Sequence, residues 1–552
     1  MEKGVDMHSG LLIWRRRVLL ATAAAALTIF GAVGAAQAAV RGESSATSAT
    51  LVYAVPSVTT TLDYAPYQGD ANRFVDIPLE SKLVLYDPSK LKGKGCYQLA
   101  SVSDIRGDLA TSWSYSKDRK TITLKLRNAR SQYGNVLTAD DVKWSINRSM
   151  AISPIAAFNY FTIAHYRKID PVTVVNSRTV QLHVDQPTAL DLIENTVFFA
   201  VIYDSREALK HATSSDPWAT AWLQTHTDTF GPWEVSDFQP GQQVTYVPNP
   251  YYYGKSQRGN ITKFIIRQIP DAATRVQLLQ AGQVDWAARL SFNDYLTLNR
   301  THGVTVKKCL SPNRDDIVLN IHNPILSKTQ VRQAISMALD RRAIAKGAYL
   351  GFGQPARSGL SQWYSYPKPT ATYSYNPQQA KQLLAQAGYP SGFDLNMLYS
   401  PTRPGPVAEQ SAILIQSMLG AIGIRVHLTE DASGTDFSSK FLAGNFDAIV
   451  WQEPPLIADP YFSASIYNIS NSFQNHFGFN DPGYDKFVLS VGTTPPGKKR
   501  AALMAKLAGL GVTDYPVIYL TDDFFMQGFR SNISGYLATP DGEVYPETLV
   551  KR

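Results

Sequence analysis

Apolar and polar residues alternate in some segments of the chain and recur at helical spacing in others. In residues 121–127, TITLKLR, apolar side chains occupy every second position, which predicts a strand with one buried face. Val142, Ile146 and Met150 recur every four residues instead, which predicts a helix with one apolar face. Segments of the two kinds follow each other throughout the chain, so the pattern favours mixed α/β domains.

Several other segments predict strands. The first is a buried strand in TLVYAVP (50–56), and another lies in QQVTYVPNPYYYGK (242–255), where it leads into a tyrosine-rich turn. The others are KFIIRQIP (263–270), FDLNMLY and IRVHLTE. We find no internal repeat among these segments.

The stretch NVLTADDVKWSINR (135–148) contains a predicted helix start. Thr138 can cap the free N–H groups of the first turn, and Asp141 occupies the capping-box position three residues later. Asp140 and Asp141 both lie in the first turn, where the positive end of the helix favours carboxylates. An acidic pair beside Trp144 could also be catalytic, but general acid–base chemistry needs a further partner. We therefore interpret both acids as helix-start residues.

The sequence also predicts where two later helices begin or end. Ser327 and Gln330 have the spacing of a capping box before an apolar helical face. Asn376 is predicted to cap the second helix, with Pro377 in its first position. Gly388 is predicted to end that helix in the left-handed conformation.

Length and composition indicate a globular protein of two to four domains. The chain has 552 residues, of which 44% are hydrophobic and 18% charged, and single cores stop growing beyond roughly 250–300 residues. The formal net charge is +8, of which residues 1–38 supply four basic and two acidic groups, leaving +6. The basic runs KLKGKG (90–95) and GKKR (497–500) are too short for a nucleic-acid surface, so no nucleic-acid partner is predicted.

Residues 1–38 have the composition of a secretory signal peptide. Three arginines (15–17) precede an apolar run that ends in AQA (36–38), which predicts cleavage after Ala38 and export. An uncleaved anchor is the alternative, because the apolar run is nearly long enough to span a membrane. RRRVLL half-matches a twin-arginine signal, so the export route stays open. No cysteine lies near the cleavage site, so a lipid anchor is not predicted.

The chain has two cysteines, Cys96 and Cys309. An exported protein can pair them, but one widely spaced pair does not define a disulfide framework, and the sequence leaves their state open. The absence of a CxxC motif argues against a zinc ribbon or a thioredoxin-like site.

The sequence does not support any of the enzyme motifs that could assign a catalytic function. It contains neither GxSxG nor HExxH. GFGQPA (351–356) follows a helical segment and carries a proline where a dinucleotide site needs an amide donor. GTTPPGKK (492–499) lacks the Ser or Thr that would hold magnesium in a phosphate loop. No catalytic residue, metal site or cofactor is predicted.

Several motifs together closely resemble those of the periplasmic dipeptide- and oligopeptide-binding proteins, which are solute-binding proteins of family 5 of ABC importers. The resemblance covers nearly all of the chain after residue 38. It is carried, in order, by GDLATSWSYSKDRKTITLKLRN, LTADDVKWSINR, FGPWEVSDFQPGQQVTYVPNPYYYG, IIRQIPDAATRVQLLQAGQVD, VRQAISMALDRRAIAKGAYLG and YNPQQAKQLLAQAGYPSGFDL.

The resemblance implies an α/β, two-lobed periplasmic-binding-protein fold of type II, in its large three-domain form. A hinge would join the lobes, and ligand would bind in the cleft between them. Domain I would comprise 47–82, 228–307 and 512–552, domain II 83–227, and domain III 308–511. The hinge crossings would lie near SPNRDDIVLN and TDYPVIYL.

The resemblance also implies the ligand-binding residues Arg403, Trp451, Glu453 and Asp459. In relatives, an arginine in a segment like LYSPTRPGP binds a peptide carboxylate, and a guanidinium fork suits that group. An aspartate in W-x-x-D binds the amino group, but here that position is Pro454, with Glu453 one residue earlier. The alternatives are a surface arginine, a core tryptophan and an exposed loop acid.

The function implied is that of a non-catalytic receptor in the periplasm. It would capture a short peptide and deliver it to ABC permease subunits in the inner membrane, and a monomer is expected. The altered acid position leaves a non-peptide ligand open, such as a sugar, an opine or a metal chelate. A secreted hydrolase is the alternative from another class.

Overall fold

The computed structural model describes most of the chain from Ala49 onward. The described residues are 49–63, 65, 75, 77–79, 81–87, 104–255, 259–364, 366–453, 456–457, 459–513, 516–537 and 545–552. The predicted signal peptide (1–38), Cys96 and Pro454 lie outside them. Cys309 is buried and disulfide-bonded. Within the described residues, no helix is both long and apolar enough to cross a membrane.

The strands form one long mixed sheet and a smaller antiparallel sheet, with two short pairs. Their bounds are β1 Ala49–Val55, β2 Val84–Tyr86, β3 Ile105–Gly107, β4 Ala110–Tyr115, β5 Thr121–Leu126, β6 Val172–Asn176, β7 Thr179–His183, β8 Trp233–Gln239, β9 Gln243–Pro248, β10 Ile261–Gln268, β11 Trp286–Ala287, β12 Val304–Leu319, β13 Gln354–Pro355, β14 Asp394–Tyr399, β15 Arg425–Glu430, β16 Ala448–Glu453, β17 Val517–Arg530, β18 Ile533–Ser534 and β19 Val550–Lys551.

The long sheet has the strand order β15-β14-β16-β12-β17-β11-β1-β10-β9-β8, with β13 beside β17. Its first half is β11, β1, β10, β9 and β8, and its second half is β15, β14 and β16. β12 and β17 pair antiparallel and lie between the halves, and their register is irregular between Leu310 and Arg314 and between Asp315 and Asp316. The smaller sheet has the order β4-β5-β7-β6.

Helices pack around these sheets. Their bounds are α1 Ala139–Ile152, α2 Pro154–Phe158, α3 Ser205–Ala208, α4 Thr220–Leu223, α5 Ala272–Gln280, α6 Phe292–Leu298, α7 Thr329–Ala338, α8 Arg341–Gly347, α9 Pro377–Gln386, α10 Ala408–Gly420, α11 Gly434–Leu442, α12 Pro460–Asn468, α13 Pro482–Thr493 and α14 Lys498–Thr513. A π-helical turn, Asn159–Ile163, follows α2.

The strand and helix predictions agree well with these elements. The alternating run at 121–127 is β5, and its apolar positions are buried. Asn376 caps α9 with Pro377 in the first turn, and Gly388 adopts φ 97° just after the helix. The capping box at Ser327 is wrong: α7 begins at Thr329. The Ser327 hydroxyl donates instead to the carbonyl of Pro324 (2.8 Å), because residues 323–328 close a turn of their own.

The acids of the ADD sequence at the start of α1 have different surroundings. Asp141 is buried, and one of its oxygens accepts from the Thr138 backbone N–H (2.7 Å). The other accepts from the backbone N–H and the hydroxyl of Ser205 (3.0 and 2.6 Å). Asp140 is exposed. The structure therefore gives Asp141 a capping role and a second role in fixing α3.

We expect Asp141→Ala to lower the free energy of unfolding by about 2–3 kcal/mol, because it removes charge-assisted hydrogen bonds to buried donors. Asp140→Ala is the matched control and should change it by less than about 0.5 kcal/mol. Urea unfolding of both variants would measure the difference. Equal effects would contradict the structural role assigned to Asp141.

Candidate functional site

β12 and β17, the two strands between the halves of the long sheet, contain consecutive charged residues. Arg314, Asp315 and Asp316 follow one another in β12, and Asp522 and Asp523 do so in β17. Because side chains of a strand alternate between faces, each run places charges on both sides of the sheet. All five residues are buried.

We call one side of this region the charged face; it carries Arg314, Asp316, Trp451, Glu453 and Asp522. The register places Arg314 between Glu453 of β16 and Asp522 of β17, and Asp316 beside Trp451. Arg314 Nε donates to Asp522 Oδ1 (2.9 Å), and Nη2 donates to the carbonyl of Ser358 (2.8 Å). The charge of Asp522 is therefore neutralised by Arg314.

Glu453 is buried at the centre of the charged face, with 1% of its surface exposed. Within the described part of the chain, neither of its carboxylate oxygens has a hydrogen bond of ordinary geometry, although the hydroxyls of Ser463 and Tyr519 lie near. Burial raises the pKa of the Glu453 carboxyl, and the positive charge of Arg314 partly opposes this. Its surroundings therefore favour the neutral acid.

Asp316 resembles Glu453 in its surroundings. It is 1% exposed, and its Oδ1 has no hydrogen-bond partner among the residues that the structure describes. Burial and then the neighbouring Glu453 carboxyl raise the pKa of Asp316 well above its ordinary value. The positive charges of Arg314 and Arg403 act in the opposite direction. The charged face thus holds two buried acids that are not ion-paired within the described part of the chain.

Arg403 and Trp451 are in direct contact. The guanidinium carbon of Arg403 lies 4.0 Å from the ring centroid of Trp451, a cation–π contact. The ring of Phe441 stacks on Trp451 with centroids 3.9 Å apart, and the indole N–H has no hydrogen-bond acceptor in the described ranges. Arg403 is half-buried and donates one hydrogen bond, from Nη2 to the carbonyl of Gln452 (2.9 Å). Among the described residues its other N–H groups have no hydrogen-bond acceptor, so they can bind an anionic group.

Asp459 has a different environment from the other three predicted site residues. It caps α12, and its Oδ1 accepts from the backbone N–H of Tyr461 (2.9 Å). It also forms a two-pronged ion pair with Arg500, with N–O distances of 2.8 and 2.7 Å between buried groups. These contacts occupy both of its oxygens, and a ligand-binding role for Asp459 stays a prediction.

The opposite side of the same strands carries Asp315, Gln452 and Asp523. The Gln452 amide donates to Asp315 (2.9 Å) and to Asp523 (3.3 Å), and Tyr349 donates its hydroxyl to Asp315. A cavity that is open to solvent lies here, with about 620 Å³ of empty space when the solvent at its mouth is included. Phe292 and Pro404, from the two halves, are among its walls.

A further buried carboxyl, Glu194, lies where α12 contacts the residues around the π-helical turn. It is fully buried, and neither oxygen has a hydrogen-bond partner in the part of the chain that the structure describes. Burial raises its pKa well above the ordinary value of 4.5. It lies near enough to Tyr160, Tyr166 and Tyr461 for its negative charge to raise the pKa of each hydroxyl. The Tyr461 hydroxyl crosses this contact and donates to the carbonyl of Ile163 (3.2 Å).

The sequence analysis missed Arg314, Asp316 and Asp522. A signal for them existed, because NRDDIVLN and LTDDFFM place consecutive charges inside runs that are otherwise apolar. Such a break in a strand pattern is expected at functional or strained sites. Within the described residues, no group of three or more His, Cys, Asp or Glu side chains is arranged to hold a metal ion.

Comparison with known proteins matches residues 104–475 to the family model of the bacterial extracellular solute-binding proteins, family 5 middle. A probable D,D-dipeptide-binding periplasmic protein of Escherichia coli K12 is 26% identical over 87% of this chain and 90% of its own length. Two solved structures superpose with a TM-score of 0.78 at 22% identity, each covering 91% of this chain and 99% of the other. One is the ABC transporter-associated DppA of Helicobacter pylori with the peptide STSA, and one is AgaA of A. tumefaciens R10 with agropinic acid.

Proposed function

Because the chain belongs to the bacterial extracellular solute-binding proteins of family 5, we propose that it captures a short peptide and delivers it to the permease of an ABC importer. The family match over residues 104–475 carries this proposal. The fold supports it, since the chain superposes along nearly its whole length on periplasmic binding proteins. Catalysis is not part of the proposed role.

Arg403 is the proposed clamp for the carboxylate of the ligand. Its guanidinium is held by Trp451 on one side and by the carbonyl of Gln452. A planar guanidinium group that is already held in place loses little conformational freedom when it forms two parallel hydrogen bonds to a carboxylate. Trp451 is itself packed on Phe441, so its proposed part is to position Arg403.

Ligand capture is proposed to close the two halves of the molecule around the charged face. β12 and β17 join the halves, and their register is irregular at residues 310–316, which overlap the predicted hinge segment. A ligand that contacts both halves favours the closed state by its differential affinity for that state. Residues 1–38 would direct export to the periplasm, where the permease partner is reached.

Native mass spectrometry of residues 39–552, purified without denaturant, tests this function. We expect a retained mass that is identified as a short peptide after release. A retained sugar, opine or metal chelate would keep the receptor role and refute the peptide assignment. If the purified protein is empty, calorimetric titration with dipeptides and tripeptides decides, and failure of all of them to bind would refute it.

Arg403→Ala is expected to weaken peptide binding by about 2–5 kcal/mol, since it leaves the ligand carboxylate without its partner. Isothermal titration with a peptide and with its C-terminal amide would show whether the lost energy belongs to the carboxylate. Arg425→Ala removes an exposed arginine that pairs with exposed Asp394, and it is the matched control. Equal affinities of Arg403→Ala and Arg425→Ala would contradict the clamp.

A further inference from the structure

The contact around Glu194 joins segments that the predicted domain division assigns to different lobes. Glu194 and the π-helical turn Asn159–Ile163 belong to domain II, whereas α12 belongs to domain III. We propose that Glu194 couples closure of the lobes to the uptake of a proton, so that the protein captures its ligand more tightly as the pH falls. This inference rests on the proposed function, because it adds a form of regulation to the closing step of that function.

Two hydrogen bonds cross this contact. The hydroxyl of Tyr461, in α12, donates to the carbonyl of Ile163 (3.2 Å). The backbone N–H of Ala189 donates to the carbonyl of Gly492 in α13 (3.1 Å). Buried hydrophobic residues of both domains also belong to one continuous cluster. Opening of the lobes separates the two sides of this contact, and Glu194 is then exposed to water.

Glu194 lies in the contact without any group that would stabilise its charge. None of its surface is exposed, and in the described part of the chain neither oxygen accepts a hydrogen bond. The Tyr160 hydroxyl, which is close enough to sense the charge of Glu194, also has no partner among the described residues. A buried carboxylate without donors or a counter-charge is strongly unfavourable, and such a group binds a proton instead. The closed contact therefore favours the neutral acid.

The titratable groups packed around Glu194 give it no counter-charge. The hydroxyls of Tyr160, Tyr166 and Tyr461 are neutral, because burial raises the pKa of each. The charged or basic groups nearby have other partners: Lys82 donates to the carbonyl of Thr196, Asp191 accepts from Tyr115 and lies 3.8 Å from Arg119, Asp459 pairs with Arg500, and His165 interacts with Asp185. In the described ranges no cation pairs with Glu194, so a proton is the group that removes its charge.

Proton uptake follows from the difference between the two states. In the open state Glu194 is exposed and ionises near its ordinary pKa of 4.5, whereas burial in the closed state raises that pKa well above 4.5. The contribution of the neutral acid to closure is fully present below the open-state pKa. It is lost as the pH rises through the closed-state pKa. Ligand affinity depends on closure, so it should fall by up to about tenfold per pH unit in this window.

Isothermal titration of the protein of residues 39–552 with Ala-Ala at pH 5 to 7 tests the proposal, because both termini of this dipeptide stay charged in that range. We expect the Kd of wild type, divided by that of Glu194→Gln, to rise about tenfold or more from pH 5 to 7. Every other acid is present in both proteins, so its contribution cancels in the ratio. Glu409→Gln, at an exposed position, is the matched control and should give a constant ratio.

Two further variants show whether the effect belongs to the proton on Glu194. Tyr461→Phe removes the hydrogen bond across the contact and keeps the acid, so it should weaken binding roughly fivefold at every pH. Asp191→Asn tests the neighbouring acid, whose pKa burial raises to about 6. A ratio for Glu194→Gln that does not change with pH, or a pH dependence that disappears only in Asp191→Asn, would overturn the assignment to Glu194.

Hydrogen exchange of the ligand-free protein provides a measurement that needs no peptide. The Ala189 amide donates across the contact, so its exchange, corrected for the intrinsic rate, reports on opening. It should be faster in wild type at pH 7 than at pH 5, and slower in Glu194→Gln than in wild type at pH 7. Equal protection of both proteins at both pH values would contradict the coupling. Failure of all dipeptides and tripeptides to bind, with the exchange as expected, would refute the proposed function and leave the proton-coupled contact standing.

Discussion

Asp459→Asn is expected to lower the free energy of unfolding by about 3–5 kcal/mol, because it leaves the buried guanidinium of Arg500 without its counter-charge. The Asp459 carboxylate also caps α12, every residue of which is buried. Loss of the cap adds about 1 kcal/mol. Chemical denaturation of the wild-type and variant proteins would measure the change.

A double-mutant cycle separates the contribution of the Asp459–Arg500 ion pair to the free energy of unfolding from the contribution of the α12 cap. Asp459→Asn, Arg500→Met and the double variant are compared, and the double variant should be more stable than Asp459→Asn alone. A strictly additive result would show that the two residues do not interact as the structure describes. Ligand affinity of Asp459→Asn, measured where the variant is folded, would then report separately on the predicted ligand-binding role.

Glu194→Gln is expected to stabilise the protein at neutral pH and to do so increasingly as the pH rises. The folded state raises the pKa of Glu194 well above 4.5, so the folded protein holds a proton that the unfolded chain has released. Stability contributed by the neutral acid is fully present below the unfolded pKa and is lost as the pH rises towards the folded pKa. The slope of this loss is up to about 1.4 kcal/mol per pH unit.

The measurement is the difference between the unfolding free energies of Glu194→Gln and wild type at pH 4 to 8. We expect a difference that does not vary with pH below about 4.5 and rises above it. Glu409→Gln, at an exposed position of α10, controls for the loss of one negative charge. A difference that does not change with pH would show that Glu194 ionises without cost in the folded protein.

Much of the local structure could be predicted because it depends on residues that are close together in the sequence. The alternation in TITLKLR fixes which face of β5 is buried, and Asn376 with Pro377 sets the start of α9. Ser327 shows the limit of this approach. It has the right spacing to a glutamine, but residues 323–328 form a turn that uses its hydroxyl and moves the helix start to Thr329.

The site could be predicted only in part because it depends on strand register. The resemblance selected Arg403 and Trp451, and the structure places them in contact. Which of Asp315 and Asp316 shares a face with Glu453 depends on how β12 pairs with β16 across more than a hundred residues. Glu194 had no sequence signal, since only the packing of α12 against a distant segment buries it.

β12 and β17 are hydrogen-bonded to each other, and their shared register is irregular at the level of residues 310–316. Strands that share hydrogen bonds bend together more easily than they slide past one another, because sliding would break those bonds. If the proposed closure bends β12 and β17 at that level, we expect the charged face and the cavity beside Phe292 and Pro404, on the other side of the sheet, to change width in opposite directions. A group that fills the cavity would then favour the state in which the charged face is closed.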